Sequence, residues 1–95
     1  MKIGDVVVST AGHDMGELFF VQDTLGEYAF LIDGKCRPYD KPKKKKLKHI
    51  LKIGSVNNDI VEKVLSNVHN ADVEVRKQLK YFRKQIKENV CQSKM

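Results

Sequence analysis

Lys41-Pro42-Lys43-Lys44-Lys45-Lys46-Leu47-Lys48-His49 is the densest stretch of reactive groups in this 95-residue chain. Like charges packed this closely repel one another, so the stretch is expected to be extended and mobile until an anion neutralises it. Nucleic-acid phosphates would do so, with counterion release supplying the driving force. Lys35 and Arg37 precede the run and His49 closes it, and all belong to the expected contact set. On this reading, removing the charges of Lys43 to Lys46 leaves stability unchanged or slightly raised. Two other readings stand beside it: a solvated loop that binds nothing in particular, and a nuclear import signal. The second suits a free tail better than a segment lying between strands.

A further basic series lies near the end of the chain. Arg76, Lys80, Arg83 and Lys87 recur at spacings of 4, 3 and 4, flanked by Lys77 and Lys84. That pattern puts a cationic stripe on one face of a helix, a second surface for phosphates. Such contacts position a protein on RNA without reading its sequence. Tyr39, beside the lysine run, could stack on an unpaired base or simply cover the end of the fold.

Other reactive side chains form no constellation. Cys36 and Cys91 stand 55 positions apart with no ligand-spaced partner, and read as two separate thiols. His13, His49 and His69 are scattered, whereas a zinc site needs three or four convergent ligands. The acidic residues Asp5, Asp14, Glu17, Asp23, Glu27 and Asp33 read as solvated edges, since none is placed beside a nucleophile or base. Neither catalysis nor a metal or cofactor is expected.

The elements that must hold these residues follow from charge and periodicity. Net charge is +6 but unevenly spread. Residues 1–34 hold one basic and six acidic residues, residues 35–52 nine and one, and residues 53–95 eight and five. This asymmetry points to a polyanion met by the middle and end of the chain. From Gly4 to Ile53 the signals are strands: Val6-Val7-Val8, Leu18 to Val21, Tyr28 to Ile32, and a last one from Leu47 to Ile53. Asp33-Gly34 reads as a hairpin turn into Lys35-Cys36-Arg37. Phe19, Phe20, Tyr28 and Phe30 lie in these strand runs, and at least two of them belong in the core. After Gly54 the period becomes helical. Asn57-Asn58-Asp59 offer caps for a helix over 57–68, and Asn70 with Asp72 for a second over 71–90. In the latter, Val75, Leu79, Phe82, Ile86 and Val90 form an apolar stripe that packs on the sheet or the first helix. The expected architecture is mainly β with C-terminal helices. It comprises a small β-barrel closed on itself over 1–53, folding on its own, and a helical extension over 54–95. The opening residues lack the apolar core of a signal peptide, and no apolar run is long enough for a bilayer. A soluble, cytoplasmic protein without a membrane partner is expected.

Gly4-Asp5-Val6-Val7-Val8, then Gly12-His13-Asp14-Met15-Gly16, then the apolar run to Val21, resemble a KOW motif: strand, glycine loop, strand within a Src-homology-3-like barrel. The continuation through Asp33-Gly34-Lys35, Lys43 to Lys48 and His49-Ile50-Leu51 is similar to large-subunit ribosomal proteins of the fourteen-e type and small KOW-domain RNA-binding proteins related to them. The segment from Asn70 to Lys80 looks like the helical tail of those proteins, so the resemblance spans nearly the whole chain. It implies a ribosomal or ribosome-associated protein on large-subunit ribosomal RNA, with neighbouring ribosomal proteins as further partners. KOW loops often carry Lys or Arg around the second glycine. Here His13, Met15 and Glu17 stand in those places, which leaves the loop its backbone N–H groups for phosphate. The rival class is an adaptor docking on a translation or transcription factor through its acidic face or amphipathic helix.

Overall fold

The computed structural model describes residues 1–66 and 68–93, with side chains described over 1–66 and 70–86. Five strands form one antiparallel sheet: β1 (Asp5–Ser9), β2 (Leu18–Leu25), β3 (Tyr28–Ile32), β4 (Lys43–Lys46) and β5 (Ile50–Ser55). A 3-10 turn, Leu47–His49, separates β4 from β5. Two helices follow, α1 (Asn58–Ser66) and α2 (Val68–Ser93).

The strand order is β4-β3-β2-β1-β5, so the sheet is open and the expected closed barrel is corrected. The 3-10 turn carries the chain from one edge of the sheet to the other. Its ends are held by single bonds, from Leu47 N–H to the Glu27 carbonyl (2.8 Å) and from Thr10 N–H to the His49 carbonyl (2.9 Å). The expected hairpin into Lys35–Arg37 also fails to form a ladder. Asp33 Oδ1 accepts the N–H groups of both Lys35 and Arg37 at 2.8 Å, closing a tight loop and withdrawing the donors a ladder requires. The next strand begins only at Lys43.

Alternation along β1 and β2 serves two cores. Val6, Leu18 and Phe20 join Ile32 on one face and meet Val64 of α1 with Ala71, Val75 and Leu79 of α2. Val7, Phe19 and Val21 join Ala29, Leu31 and Ile50 on the other face, where half-buried Leu47 packs against them. Among the described residues no helix joins this second cluster, so the sheet must curl on itself to bury it. Burial on both sides explains why these strands read as unbroken apolar runs. Phe19 and Phe20 are thus core, whereas half-buried Tyr28 and Phe30 belong to neither core cluster.

The helices form close to where periodicity puts them. Asn57 Oδ1 accepts the Ile60 N–H at 3.0 Å and caps α1 as expected. The start of α2 differs: it begins at Val68, ahead of Asn70 and Asp72, so neither caps it. Asp72 instead accepts the backbone N–H of Tyr39 at 2.8 Å, tying the 33–42 segment to the helix. Of the apolar stripe, Val75 and Leu79 are buried, Phe82 packs at the margin of the core and Ile86 is 39% exposed. Val90 lies outside the described side chains.

Because α1 and α2 supply half of the larger core, the strands are not expected to stand alone. Losing the cover over Val6, Leu18, Phe20 and Ile32 forfeits roughly 6 kcal/mol or more at about 1.5–3 kcal/mol per side chain, comparable with the whole stability of a small domain. A fragment ending after Ser55 should therefore show no cooperative thermal transition by circular dichroism. A sigmoidal melt like that of the full chain would show that the curled sheet suffices.

Candidate nucleic-acid interface

The lysine run is ordered. Lys43 to Lys46 pair with β3 in the register Leu31↔Lys43, Phe30↔Lys44, Ala29↔Lys45 and Tyr28↔Lys46. The expected extended conformation is present, as an edge strand in which Asp14 of the chain itself neutralises two of the lysines, and alternation sends the lysines to opposite faces.

Lys43 and Lys45 point toward the loop between β1 and β2. Lys45 Nζ donates to Ser9 Oγ and the Ala11 carbonyl, both at 2.6 Å, and to Asp14 Oδ1 at 2.5 Å. Lys43 Nζ donates to Asp14 Oδ2 at 2.5 Å, and Ser9 Oγ donates to Asp14 Oδ1 at 2.7 Å. The side chains of Lys45 and Asp14 are only 9% and 13% exposed. Burial alone would raise the Asp14 pKa. The hydrogen bonds from Lys43, Lys45 and Ser9, with the charge of Lys43, outweigh it and hold the carboxyl well below the usual carboxylate range. Asp14 therefore clasps the loop to β4, and Lys45 is committed to the fold. The loop itself turns through Gly12 and Gly16, both at positive φ, and exposes His13 and Met15.

On the other face, Lys44 and Lys46 are exposed, and Lys44 Nζ lies 4.3 Å from the Tyr28 ring centroid. Lys46 and exposed Lys48 line a small depression with Gly26, Glu27 and Leu47. Lys41 is exposed in a turn, and His49 is half-buried. Tyr39 is half-buried against the helix-backed core, so it takes the covering role and not the stacking one.

A groove of about 820 Å³ lies between the 33–37 loop, the 12–17 loop and α2. Lys35, Arg37, Lys43, Arg76, Lys80 and Arg83 line it, with Cys36, His13 and the acids Asp14, Glu17 and Asp33. The carboxylates of Asp14 and Asp33 are occupied by the clasp and by backbone N–H groups. Arg76 Nη1 donates to the Gly34 carbonyl at 2.8 Å, bracing the loop on the helix. Gly34 sits at φ 76°, and a Cβ there would collide with the Asp72 carbonyl oxygen, so only glycine fits. The structure thus joins Lys35 and Arg37 with the helical stripe in one groove and splits the lysine run away from it, Lys43 excepted. Lys87, His69 and Cys91 lie outside the described side chains.

Four acidic residues have roles that the sequence does not announce. Asp5 reads as a solvated edge and is fully buried, accepting the Lys2 N–H at 2.8 Å with Lys52 Nζ at 3.4 Å. Asp33 reads the same way and closes the 33–37 loop. Asp14 reads as a solvated edge and proves to be the centre of the clasp, and Asp72 reads as a cap for α2 and proves to hold the 33–42 segment. The one signal for Asp14 is an acid in a glycine loop where KOW motifs carry cations. Among the described residues no group of three or more His, Cys, Asp or Glu could hold a metal ion, and no helix is long and apolar enough to cross a membrane. No protein-family model matches the chain, and no curated protein matches it either.

Proposed function

We propose that this chain binds RNA by neutralising phosphates, without catalysis, and that the groove between α2 and the 33–37 loop is its principal backbone-binding surface. The observation that carries the reading is the convergence of Lys35, Arg37, Lys43, Arg76, Lys80 and Arg83 on one groove. Arg76, Lys80 and Arg83 rise along α2 by about 6 and 4.5 Å at 1.5 Å per residue, a spacing suited to successive phosphates along one strand of a duplex. The resemblance to KOW-domain and fourteen-e-type ribosomal proteins, carried by the loop from Gly12 to Gly16 and its flanking strands, makes large-subunit ribosomal RNA in the cytoplasm the proposed target. Neighbouring ribosomal proteins would then be further partners.

Replacing Lys80 and Arg83 by alanine and Arg76 by glutamine should weaken binding to duplex RNA of any sequence. The slope of log K against log salt should shallow by about 0.9 for each phosphate no longer neutralised. Fluorescence anisotropy between low and physiological salt measures both. Unchanged affinity and slope in the triple variant would move the adaptor reading ahead, because an apolar protein interface responds weakly to salt.

A further inference from the structure

Tyr28 and Phe30 are the two aromatic residues of the sheet that neither core uses. They precede Ile32 with the same parity on β3, so they continue its face away from the end that the helices cover. Their direct partners across the ladder are Lys46 and Lys44. All four side chains therefore share one face, aromatic on β3 and cationic on β4, and both lysines are exposed. Lys44 Nζ lies 4.3 Å from the Tyr28 ring centroid, an attraction of cation for π-face that shows the ring face open to a partner. Lys48 stands just beyond, on the 3-10 turn.

We propose that this face is a second binding surface, and that it takes unpaired bases of single-stranded RNA. The proposal rests on the RNA-binding reading above and adds to it a ligand class that the groove does not serve. Tyr28 and Phe30 are half-buried but, unlike Tyr39, pack against neither core. Every nucleobase has a π-face, so stacking on them is tolerant of sequence. A base takes the place of the Lys44 ammonium over Tyr28, while Lys44, Lys46 and Lys48 neutralise the phosphates between stacked bases. The groove by contrast has one aromatic lining residue, Phe19, which is only 3% exposed and holds the core. The groove accordingly suits backbone and the sheet face suits bases. The two surfaces share no lysine: Lys43 serves one and Lys44 and Lys46 the other. One protein would then hold a duplex and an adjoining unpaired segment together.

The test compares a base-paired hairpin with a uridine decamer of the same label on the full-length chain. Tyr28→Leu combined with Phe30→Leu should weaken decamer binding about tenfold or more, given the worth of a base–aromatic stack, while hairpin affinity stays within twofold. Equal loss on both RNAs, or no loss on the decamer, overturns the proposal. A second measurement avoids reliance on the variant's folding. The unmodified protein is photocrosslinked to a 4-thiouridine decamer and the attached peptide is identified by mass spectrometry. Attachment at residues 28–30 or 44–48 supports the surface, and attachment confined to residues 33–37 and 76–83 overturns it. A protein that binds the hairpin but not the decamer refutes this inference alone. One that binds neither refutes the RNA reading itself.

Discussion

Alanine at both Lys43 and Lys45 is expected to cost about 3 kcal/mol of stability, the low end for removing one side of a buried ion pair. For a chain of this size that is a fall in Tm of roughly 10–20 °C. The reason is the clasp: both cations are withdrawn from a carboxylate only 13% exposed, which keeps the Ser9 hydroxyl as its remaining side-chain donor. Alanine at both Lys44 and Lys46 removes the same charge from the same strand, yet should cost no more than about 1 kcal/mol, since both side chains are exposed and the Lys44–Tyr28 contact is what is lost. The two double variants should therefore separate cleanly, the first in its melt and the second in its affinity for unpaired RNA. This corrects the expectation, read from the sequence, that stripping Lys43 to Lys46 leaves stability unchanged or higher. Identical melts for the two variants would show the clasp to be an exposed pair of little worth.

Asp14→Asn tests the same clasp from the other side and adds a pH signature. The carboxyl titrates below its ordinary value of 3.8 in the folded chain, because the ammonium groups and the Ser9 hydroxyl favour its charged form. A group whose folded pKa is depressed contributes stability that is fully present above the unfolded pKa and is lost as pH falls through the folded one. The parent should therefore hold this contribution from neutral pH down to about pH 4 and lose it progressively below. The Asp14→Asn variant should be less stable than the parent by about 3 kcal/mol at pH 7, and the gap should narrow as the solution is acidified below about pH 4. Subtracting the two stability curves, from urea titrations at each pH, removes the contribution of the other carboxylates. A gap that stays constant down to about pH 2 would mean that charge on Asp14 does not carry the effect.

Four of the strands, the last beginning at Ile50 and not at Leu47 because a 3-10 turn takes Leu47–His49, are legible in the sequence with the cap of α1 and the buried part of the α2 stripe, and each rests on a local signal. Val6 to Val8, Leu18 to Val21 and Tyr28 to Ile32 are β-branched or aromatic runs. Asn57 sits where an N-cap must, and Val75 and Leu79 keep helical spacing. The rest depends on partners distant in the chain. Lysines 43 to 46 read as a repelling loop because the carboxylate that neutralises two of them lies about thirty residues earlier, in a loop whose own role is invisible locally. Asp72 reads as a cap because nothing nearby in the sequence announces that Tyr39 N–H will need an acceptor. Closure of the sheet is illegible for a related reason, since strand count does not determine whether the two edges meet. The basic face of α2 is legible as a stripe, but its union with Lys35 and Arg37 follows from the Asp33-closed loop and the Arg76 brace.

A strand spelled with four identical residues has no internal mark of its own alignment. A slip of one position would bring Lys44 and Lys46 to Asp14 and turn Lys43 and Lys45 outward, with lysine replaced by lysine everywhere except opposite Tyr28, where Leu47 would arrive. The alignment must therefore come from outside the run, above all from Leu47, whose side chain packs on the second core and whose N–H binds the Glu27 carbonyl. It follows that gain of one lysine here preserves both the clasp and the outward cations, whereas loss of one puts Pro42 opposite Leu31 and takes the Lys43 ammonium from the clasp. In β1 or β2 either change would exchange the contents of two cores. Strand β4 is thus a strand whose lysine run can lengthen, but not shorten, while its chemistry is conserved.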